Sequence, residues 1–218
     1  GFLAVGGRTG FGGRDGVCEA GGVIGPVRTT IRVGAWLGKH SYSVAKKETC
    51  MLWIDRKFDF VLPVEMFPNV LERLRGTPAR LEERLAGLTP EVLIHRPNDK
   101  WSIQEQVGHL GDVEELWLGR IDDYHNGLKE LRPADITNRV TSHKNHNADT
   151  IENLLLNFRS SRKKLVERFE QFDIQGAGQS AYHPRLSKPM RVIDLAYFIA
   201  EHDDHHLVKI GEIVKGDV

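Results

Sequence analysis

Cysteine is scarce in this chain: its 218 residues include only Cys18 and Cys50, both within the first 50 positions. The rest of the chain therefore has no disulfide framework of the kind that stabilises small secreted domains. A chain without disulfides is typical of a reducing compartment, and we expect a cytoplasmic protein. An enzyme built from residues 51–218 would also have no cysteine of its own to use as a nucleophile.

The sequence also lacks a charge imbalance and long apolar runs. Thirty basic residues balance 30 acidic ones, so the composition does not indicate a nucleic-acid partner or an anionic membrane. No apolar run approaches the roughly 20 residues that a membrane-spanning helix needs. With 40% hydrophobic and 28% charged residues, the chain has the composition of an ordinary globular protein. We expect a small-molecule substrate rather than a nucleic acid or a membrane.

The first 50 residues differ from the rest of the chain. They hold 12 of the 22 glycines and carry seven Lys/Arg against three Asp/Glu, and they show no sustained helical or alternating period. The first methionine is Met51. We interpret residues 1–50 as a disordered or non-native N-terminal extension, with Met51 as the natural start and residues 51–218 as the folded domain.

A glycine-rich segment at residues 10–15 suggests a phosphate-binding loop as an alternative. The dinucleotide fingerprint requires a small residue at the sixth position, where this sequence has Asp15. It also requires a preceding strand and a following helix, and neither is predicted here. We therefore reject this interpretation.

The chain beyond residue 62 has the hydrophobic period of amphipathic helices. The first helical segment spans roughly residues 63–88, and Pro78 either kinks it or begins a second segment there. The second segment begins at a capping box formed by Ser102 and Glu105 and runs to about residue 124.

Two further helices complete the pattern, one beginning near residue 149 and one after residue 189. No alternating strand pattern is found after residue 62. The predicted fold class is therefore all-α, a four-helix bundle with one apolar seam on each helix. The length of the second connection, roughly residues 125–147, predicts a crossover rather than a simple hairpin.

The fourth helix carries histidines where its apolar stripe should continue. The stripe runs from 192 to 199 and should extend through 202 and 206, which are His202 and His206. Residues four apart share a helical face, so both imidazoles would point into the core and need a hydrogen-bond partner or a metal. Among ten histidines such a pair also arises by chance, and both rings could be ordinary core groups with satisfied hydrogen bonds.

A third candidate ligand is His109 on the second helix, where Gly108 could permit close helix approach. Three neutral imidazoles suit zinc, nickel, cobalt or iron(II) and leave coordination positions open. His205 is a rival ligand, but it is rotated by about 100° from its neighbour and is expected to face sideways. His143 and His146 fall in the polar connection and are expected to be exposed.

Several segments together resemble the DinB/YfiT-like superfamily. Residues 100–110 (KWSIQEQVGHL) are similar to its second-helix motif, and residues 200–207 (AEHDDHHL) are similar to its fourth-helix H-x-x-x-H motif. Residues 183–186 (HPRL) and 194–196 (DLA) also resemble the DinB-like branch. The resemblance covers roughly residues 55–214 and does not include the first 50.

The resemblance implies a four-helix bundle with a crossover that is often dimeric. It implies a divalent metal, commonly zinc or nickel, held by His109, His202 and His206. Relatives include thiol S-transferases and isomerases that use bacillithiol, mycothiol or glutathione, and several members were labelled metal-dependent hydrolases. We expect a homodimer, with Trp53 and the outward helix faces providing apolar surface for it.

Three hypotheses for function follow. The first is a metal-dependent S-transferase in which the metal lowers the pKa of a low-molecular-weight thiol that attacks an electrophilic substrate. The second is a hydrolase in which the metal activates water, with Asp112, Glu201 or Asp203 as the general base. Each of these carboxylates could equally orient a ligand imidazole. The third is a non-catalytic metal-binding module. The sequence identifies no catalytic residue.

Overall fold

The computed structural model describes residues 51–216. The predicted N-terminal extension and its glycine-rich segment lie outside the described residues. Within this range the chain forms seven α-helices and one short β-hairpin. The helices are α1 (Phe67–Leu85), α2 (Pro90–Ile94), α3 (Ile103–Asp112), α4 (Glu114–His125), α5 (Arg139–His143), α6 (Ile151–Phe169) and α7 (Val192–Lys215), and the strands are β1 (Ser180–His183) and β2 (Lys188–Arg191).

Four long helical segments form the predicted bundle, namely α1, α3 with α4, α6 and α7. The second segment is interrupted only at Val113, which keeps right-handed backbone angles. Its predicted capping box is confirmed: the Ser102 hydroxyl accepts from the Glu105 amide at 3.2 Å, and the Glu105 carboxylate accepts from the Ser102 amide at 2.9 Å. Pro78 lies inside the single helix α1.

The second connection is a crossover, as predicted. Near the beginnings of α3 and α6, the Gln104 amide donates to the Asp149 carbonyl at 3.0 Å, and near the ends of α4 and α6, Arg168 pairs with Asp122 at 2.5 Å. The two helical segments are therefore parallel neighbours, and residues 126–150 must return along the bundle. Helix α7 runs antiparallel to them, because Gln106 near the beginning of α3 contacts His206 in the second half of α7.

The short hairpin is a feature that the sequence did not predict. Strands β1 and β2 pair antiparallel over four residues each, too few to show an alternating pattern. The crossover connection also holds the hairpin in place, because the Leu131 amide donates to the Tyr182 carbonyl at 2.9 Å and the Tyr182 amide donates to the Lys129 carbonyl at 2.8 Å. Tertiary contacts therefore stabilise these strands more than local preference does.

The core contains two hydrophobic clusters with a polar layer between them. One cluster includes Leu74, Trp117 and Leu165, and the other includes Leu81 and Ile103. Each bundle helix carries at least one buried polar residue between the positions that belong to the two clusters. These residues are Thr77, Glu114, Arg162, His202, Asp203 and His206.

Arg162 explains how α1 tolerates an internal proline. Pro78 has no N–H, so the carbonyl of Leu74, four residues earlier, loses its helical donor. The buried guanidinium of Arg162 on α6 donates to that carbonyl at 3.3 Å. A side chain from another helix thereby replaces the missing hydrogen bond.

The same guanidinium joins two buried carboxylates. Arg162 donates to Oε1 of Glu114 at 2.6 Å and to Oδ1 of Asp203 at 3.0 Å, and Thr77 donates to the other Asp203 oxygen at 2.8 Å. One cation cannot neutralise two carboxylates, and burial raises the pKa of Glu114 to about 7 although Arg162 opposes the shift. The layer thus connects all four bundle helices.

None of the helices in residues 51–216 combines the length and apolar character that crossing a membrane requires.

Candidate metal centre

The structure brings together the three histidines that the sequence singles out. The Nε2 atom of His202 lies 3.4 Å from Nε2 of His109 and 3.2 Å from Nε2 of His206. The three candidate ligand atoms lie within 4.8 Å of one another, and all three side chains are buried. Helix α3 supplies His109, and helix α7, which packs against α3, supplies His202 and His206.

The outer nitrogens of two imidazoles have partners that determine where the protons lie. Oε1 of Gln106 lies 2.6 Å from Nδ1 of His206 and can only accept a proton from it. The Thr141 hydroxyl donates to Asp112 at 2.9 Å, so it accepts from Nδ1 of His109 at 3.0 Å. Both rings therefore direct an unprotonated Nε2 toward His202.

The donor set fits a divalent metal. Metal–imidazole bonds of about 2.0–2.1 Å in a tetrahedral site separate neighbouring nitrogens by roughly 3.3 Å. The two separations from His202, 3.4 and 3.2 Å, are close to that value. Burial lowers the pKa of His109 to about 4 and lowers the pKa values of His202 and His206 well below the usual value of 6.5. The three rings are therefore neutral at pH 7, as metal ligation requires.

The crossover connection supports this cluster through Asp112. That carboxylate accepts from Thr141, from Nε2 of His146 at 2.9 Å and from Lys144 at 2.7 Å. The prediction that His146 is exposed is wrong, because its ring is buried against α3. His143, in contrast, is exposed as predicted.

Gly108 makes this contact with the connection possible. A Cβ atom at this position would lie 2.3 Å from Cγ of His146, far inside contact distance. The close approach at Gly108 is thus to a side chain of the connection, whereas the sequence suggested approach of another helix. Sequence reasoning missed Thr141, Gln106 and His146 as partners; only Gln106 offered a signal, since it lies one helical turn before His109.

The other candidate residues lie in different surroundings. Asp112 reaches the cluster through Thr141, which matches an orienting role. Glu201 pairs with Arg56 and Arg73, and Asp203 lies in the polar layer described above. The ring of His205 lies 5.4 Å from that of His206, outside the group of three.

The histidine cluster forms part of the wall of a cavity of about 530 Å³. Two tryptophans line it beside the imidazoles: the ring of Trp101 lies 4.9 Å from that of His109, and the ring of Trp53 lies 5.1 Å from that of His202. Trp53 also packs against Phe198 at 4.9 Å, so it serves the cavity wall, whereas the sequence assigned it to a dimer surface. The cavity is large enough for a small-molecule substrate.

Comparison with known proteins agrees with this architecture. The structure is similar to that of YfiT from Bacillus subtilis, described as a probable metal-dependent hydrolase with an unusual four-helix bundle topology. The TM-score is 0.63 at 18% identity, over 73% of this chain and 92% of that chain. At this identity the likeness establishes the fold alone. No curated protein matches the chain.

The family model of the DinB superfamily matches residues 73–210. The matched region covers most of the helical bundle, including all three clustered histidines and the crossover connection. It is more than half of the chain, and the chain therefore belongs to the DinB superfamily.

Proposed function

We propose that this protein is a cytoplasmic metal-dependent enzyme whose divalent ion is held by His109, His202 and His206. We propose zinc or nickel as the ion. The observation that carries the proposal is the convergence of three buried imidazole Nε2 atoms in the wall of a substrate-sized cavity. A structural metal site does not need a cavity beside it, whereas a catalytic metal site needs one to admit its substrate.

The proposed reaction is transfer of a low-molecular-weight thiol to an electrophilic small molecule. A divalent ion at the site would supply a Lewis acid that lowers the pKa of a thiol or water entering from the cavity. The chain itself keeps its three imidazoles neutral by burial and orients two of them through Gln106 and Thr141. Residues 51–218 include no cysteine, which fits a nucleophilic sulfur that a cosubstrate supplies.

The carboxylate contacts favour transfer over hydrolysis. A hydrolase needs a general base within hydrogen-bond reach of the attacking water. Glu201 and Asp203 are both paired with guanidinium groups, and Asp112 is engaged by Thr141, His146 and Lys144. Each of these three carboxylates is therefore already engaged by donors, which supports the transferase over a hydrolase that uses one of them as its base.

Hydrolysis is the second candidate, favoured by the likeness to YfiT. His205 lines the cavity, and burial lowers its pKa to about 4, so its imidazole is neutral at pH 7. A neutral imidazole at that position can accept a proton from water, although a pKa of about 4 makes it a weak base at pH 7.

Metal analysis of protein purified without a histidine tag tests whether the protein binds a divalent ion.

Cobalt(II) substitution followed by titration with glutathione, mycothiol or bacillithiol tests whether a thiol binds to that ion. We expect an intense near-ultraviolet thiolate–cobalt band, absent from His206→Ala and retained in the matched variant His205→Ala. Absence of the band with all three thiols would contradict the transferase. Ester or amide cleavage that is inhibited by thiol would favour the hydrolase, and metal without turnover would favour a binding module.

We also propose a homodimer, on the basis of the family resemblance. Light scattering at micromolar concentration should give twice the 24.6 kDa mass of one chain. A mass equal to one chain would contradict the dimer without affecting the metal proposal.

A further inference from the structure

Two arginines line the same cavity as the histidine cluster. Arg120 belongs to α4, and Arg185 lies in the turn between β1 and β2. The Arg120 side chain is 1% exposed. In each guanidinium the Nη2 atom is buried and has no hydrogen-bond partner among the described residues. Buried N–H groups without acceptors are uncommon and indicate a missing partner.

Other contacts hold both guanidiniums in place. Arg120 donates through Nε to the Arg132 carbonyl at 3.1 Å and lies over the Trp117 ring at 5.4 Å. Arg185 lies over the Phe198 ring at 5.6 Å. These contacts restrict the orientation of each group before any ligand arrives, which lowers the entropic cost of binding.

The positive charge of this pair is not neutralised within the described structure. Neither Arg120 nor Arg185 forms an ion pair with a carboxylate in residues 51–216, and the neighbouring Asp123 is held by Arg132 at 2.7 Å. Burial, together with the charge of Arg185, lowers the pKa of Arg120 to about 10. Burial also lowers the pKa of Arg185. An uncompensated buried charge is costly, and an anion would remove that cost.

His183 adds to the surplus of hydrogen-bond donors. The Leu186 amide lies 3.2 Å from its Nδ1 atom, and Nη1 of Arg120 lies 3.0 Å from its Nε2 atom. Burial and the two guanidiniums lower the pKa of His183 to about 3, so the ring is neutral. A neutral imidazole can accept only one of these two N–H groups, whichever nitrogen carries its proton. The cluster thus has more donors than acceptors.

We propose that Arg120 and Arg185 bind an anionic group, a carboxylate or a phosphate, of the substrate. Guanidinium groups form strong charge-assisted hydrogen bonds with both, frequently through two N–H groups at once. Because the same cavity contains the histidine cluster, a small molecule held by its anionic end would present its remaining atoms to the proposed metal. The substrate class is therefore an anionic small molecule. That assignment rests on the proposed function, whereas the anion site itself does not.

Isothermal titration of the full-length, metal-loaded protein with succinate, inorganic phosphate and neutral succinamide tests the site. We expect the two anions to bind and succinamide not to bind. The anion that binds more tightly identifies the preferred group.

Arg185→Gln should weaken anion binding by about 10- to 100-fold, as expected for loss of charged hydrogen bonds. Arg185→Lys should retain part of the affinity. Arg168→Gln removes a guanidinium from a pair with half-buried Asp122 and should leave anion binding unchanged.

Titration of His202→Ala, which should lack the metal, separates this inference from the proposed function. If the His202→Ala variant still binds the anions, the arginines bind them and the metal does not. Anion binding without any thiol transfer would leave the site standing and contradict the transferase. The site is overturned if neither anion binds more tightly than succinamide, if binding disappears in His202→Ala, or if folded Arg185→Gln binds the anions as the unchanged protein does.

Discussion

The Nδ1 atom of His206 lies 2.6 Å from Oε1 of Gln106, which reaches it from the facing helix α3. This contact fixes both the tautomer and the ring orientation of a proposed ligand. Gln106→Leu should therefore weaken metal binding by about 10- to 100-fold, whereas Gln106→Glu, which keeps an acceptor oxygen, should not. Competition with a chromophoric chelator measures both affinities. Equal affinity of Gln106→Leu and the unchanged protein would show that the contact does not orient the ligand.

Replacement of any one of the three clustered histidines by alanine should remove most bound metal. A site left with two imidazoles loses one metal–nitrogen bond. The affinity for the metal should therefore fall by more than the roughly 100-fold expected when a ligand histidine loses its hydrogen-bond partner. His205→Ala is the control, because that ring lies in the same cavity but outside the group of three. Elemental analysis of each purified variant gives the metal content, and circular dichroism checks the fold. Metal lost from His205→Ala and retained by His206→Ala would reverse the assignment.

Arg162 should contribute far more to stability than a neighbouring arginine on the same helix. Arg162→Met leaves two buried carboxylates and the Leu74 carbonyl without their donor, and should reduce the free energy of unfolding by about 3–5 kcal/mol. Arg159→Met breaks only an exposed pair with Glu82 and should cost less than about 1 kcal/mol. Urea denaturation compares the two variants. Similar losses would contradict a structural role for the polar layer.

The stability of the metal-free protein should fall with rising pH because of Glu114. Its carboxyl pKa is raised by burial from 4.5 to about 7, so the folded state holds the proton more tightly than the unfolded chain. The resulting stabilisation is fully present below pH 4.5 and is lost as the pH rises through about 7. The loss, relative to Glu114→Gln, should reach about 3 kcal/mol, since one pKa unit corresponds to about 1.4 kcal/mol. Parallel pH profiles of both proteins in urea denaturation would argue against the raised pKa.

A chain that begins at Met51 should fold and bind metal as the full chain does. Among residues 51–216, the two hydrophobic clusters extend from Phe58 to Ile210, and the cavity wall begins at Leu52. The truncation should therefore change the free energy of unfolding by less than about 1 kcal/mol, or the melting temperature by less than about 4 °C. Thermal denaturation and metal analysis of both chains test this. A larger drop in melting temperature would show that residues 1–50 contribute to the folded domain.

Features that depend on neighbouring residues were predictable from the sequence. The capping box at Ser102 and the pairing of His202 with His206 on one helical face follow from spacings of three and four residues. The period of apolar residues identified the four bundle helices, and the length of the second connection indicated a crossover. For Pro78 the sequence left two alternatives, and the choice depended on Arg162, 84 positions later in the chain.

The sequence by itself determined the four amphipathic helices and the histidines that interrupt their apolar stripes, because helix period and side-chain direction are local properties of the chain. Only the tertiary structure decided what surrounds those histidines. Thr141 and His146 reach α3 because the crossover returns along the bundle, and Arg185 reaches the cavity because the hairpin turns beside α4. No local spacing encodes such contacts, since they arise when segments distant in the chain pack against the same helices.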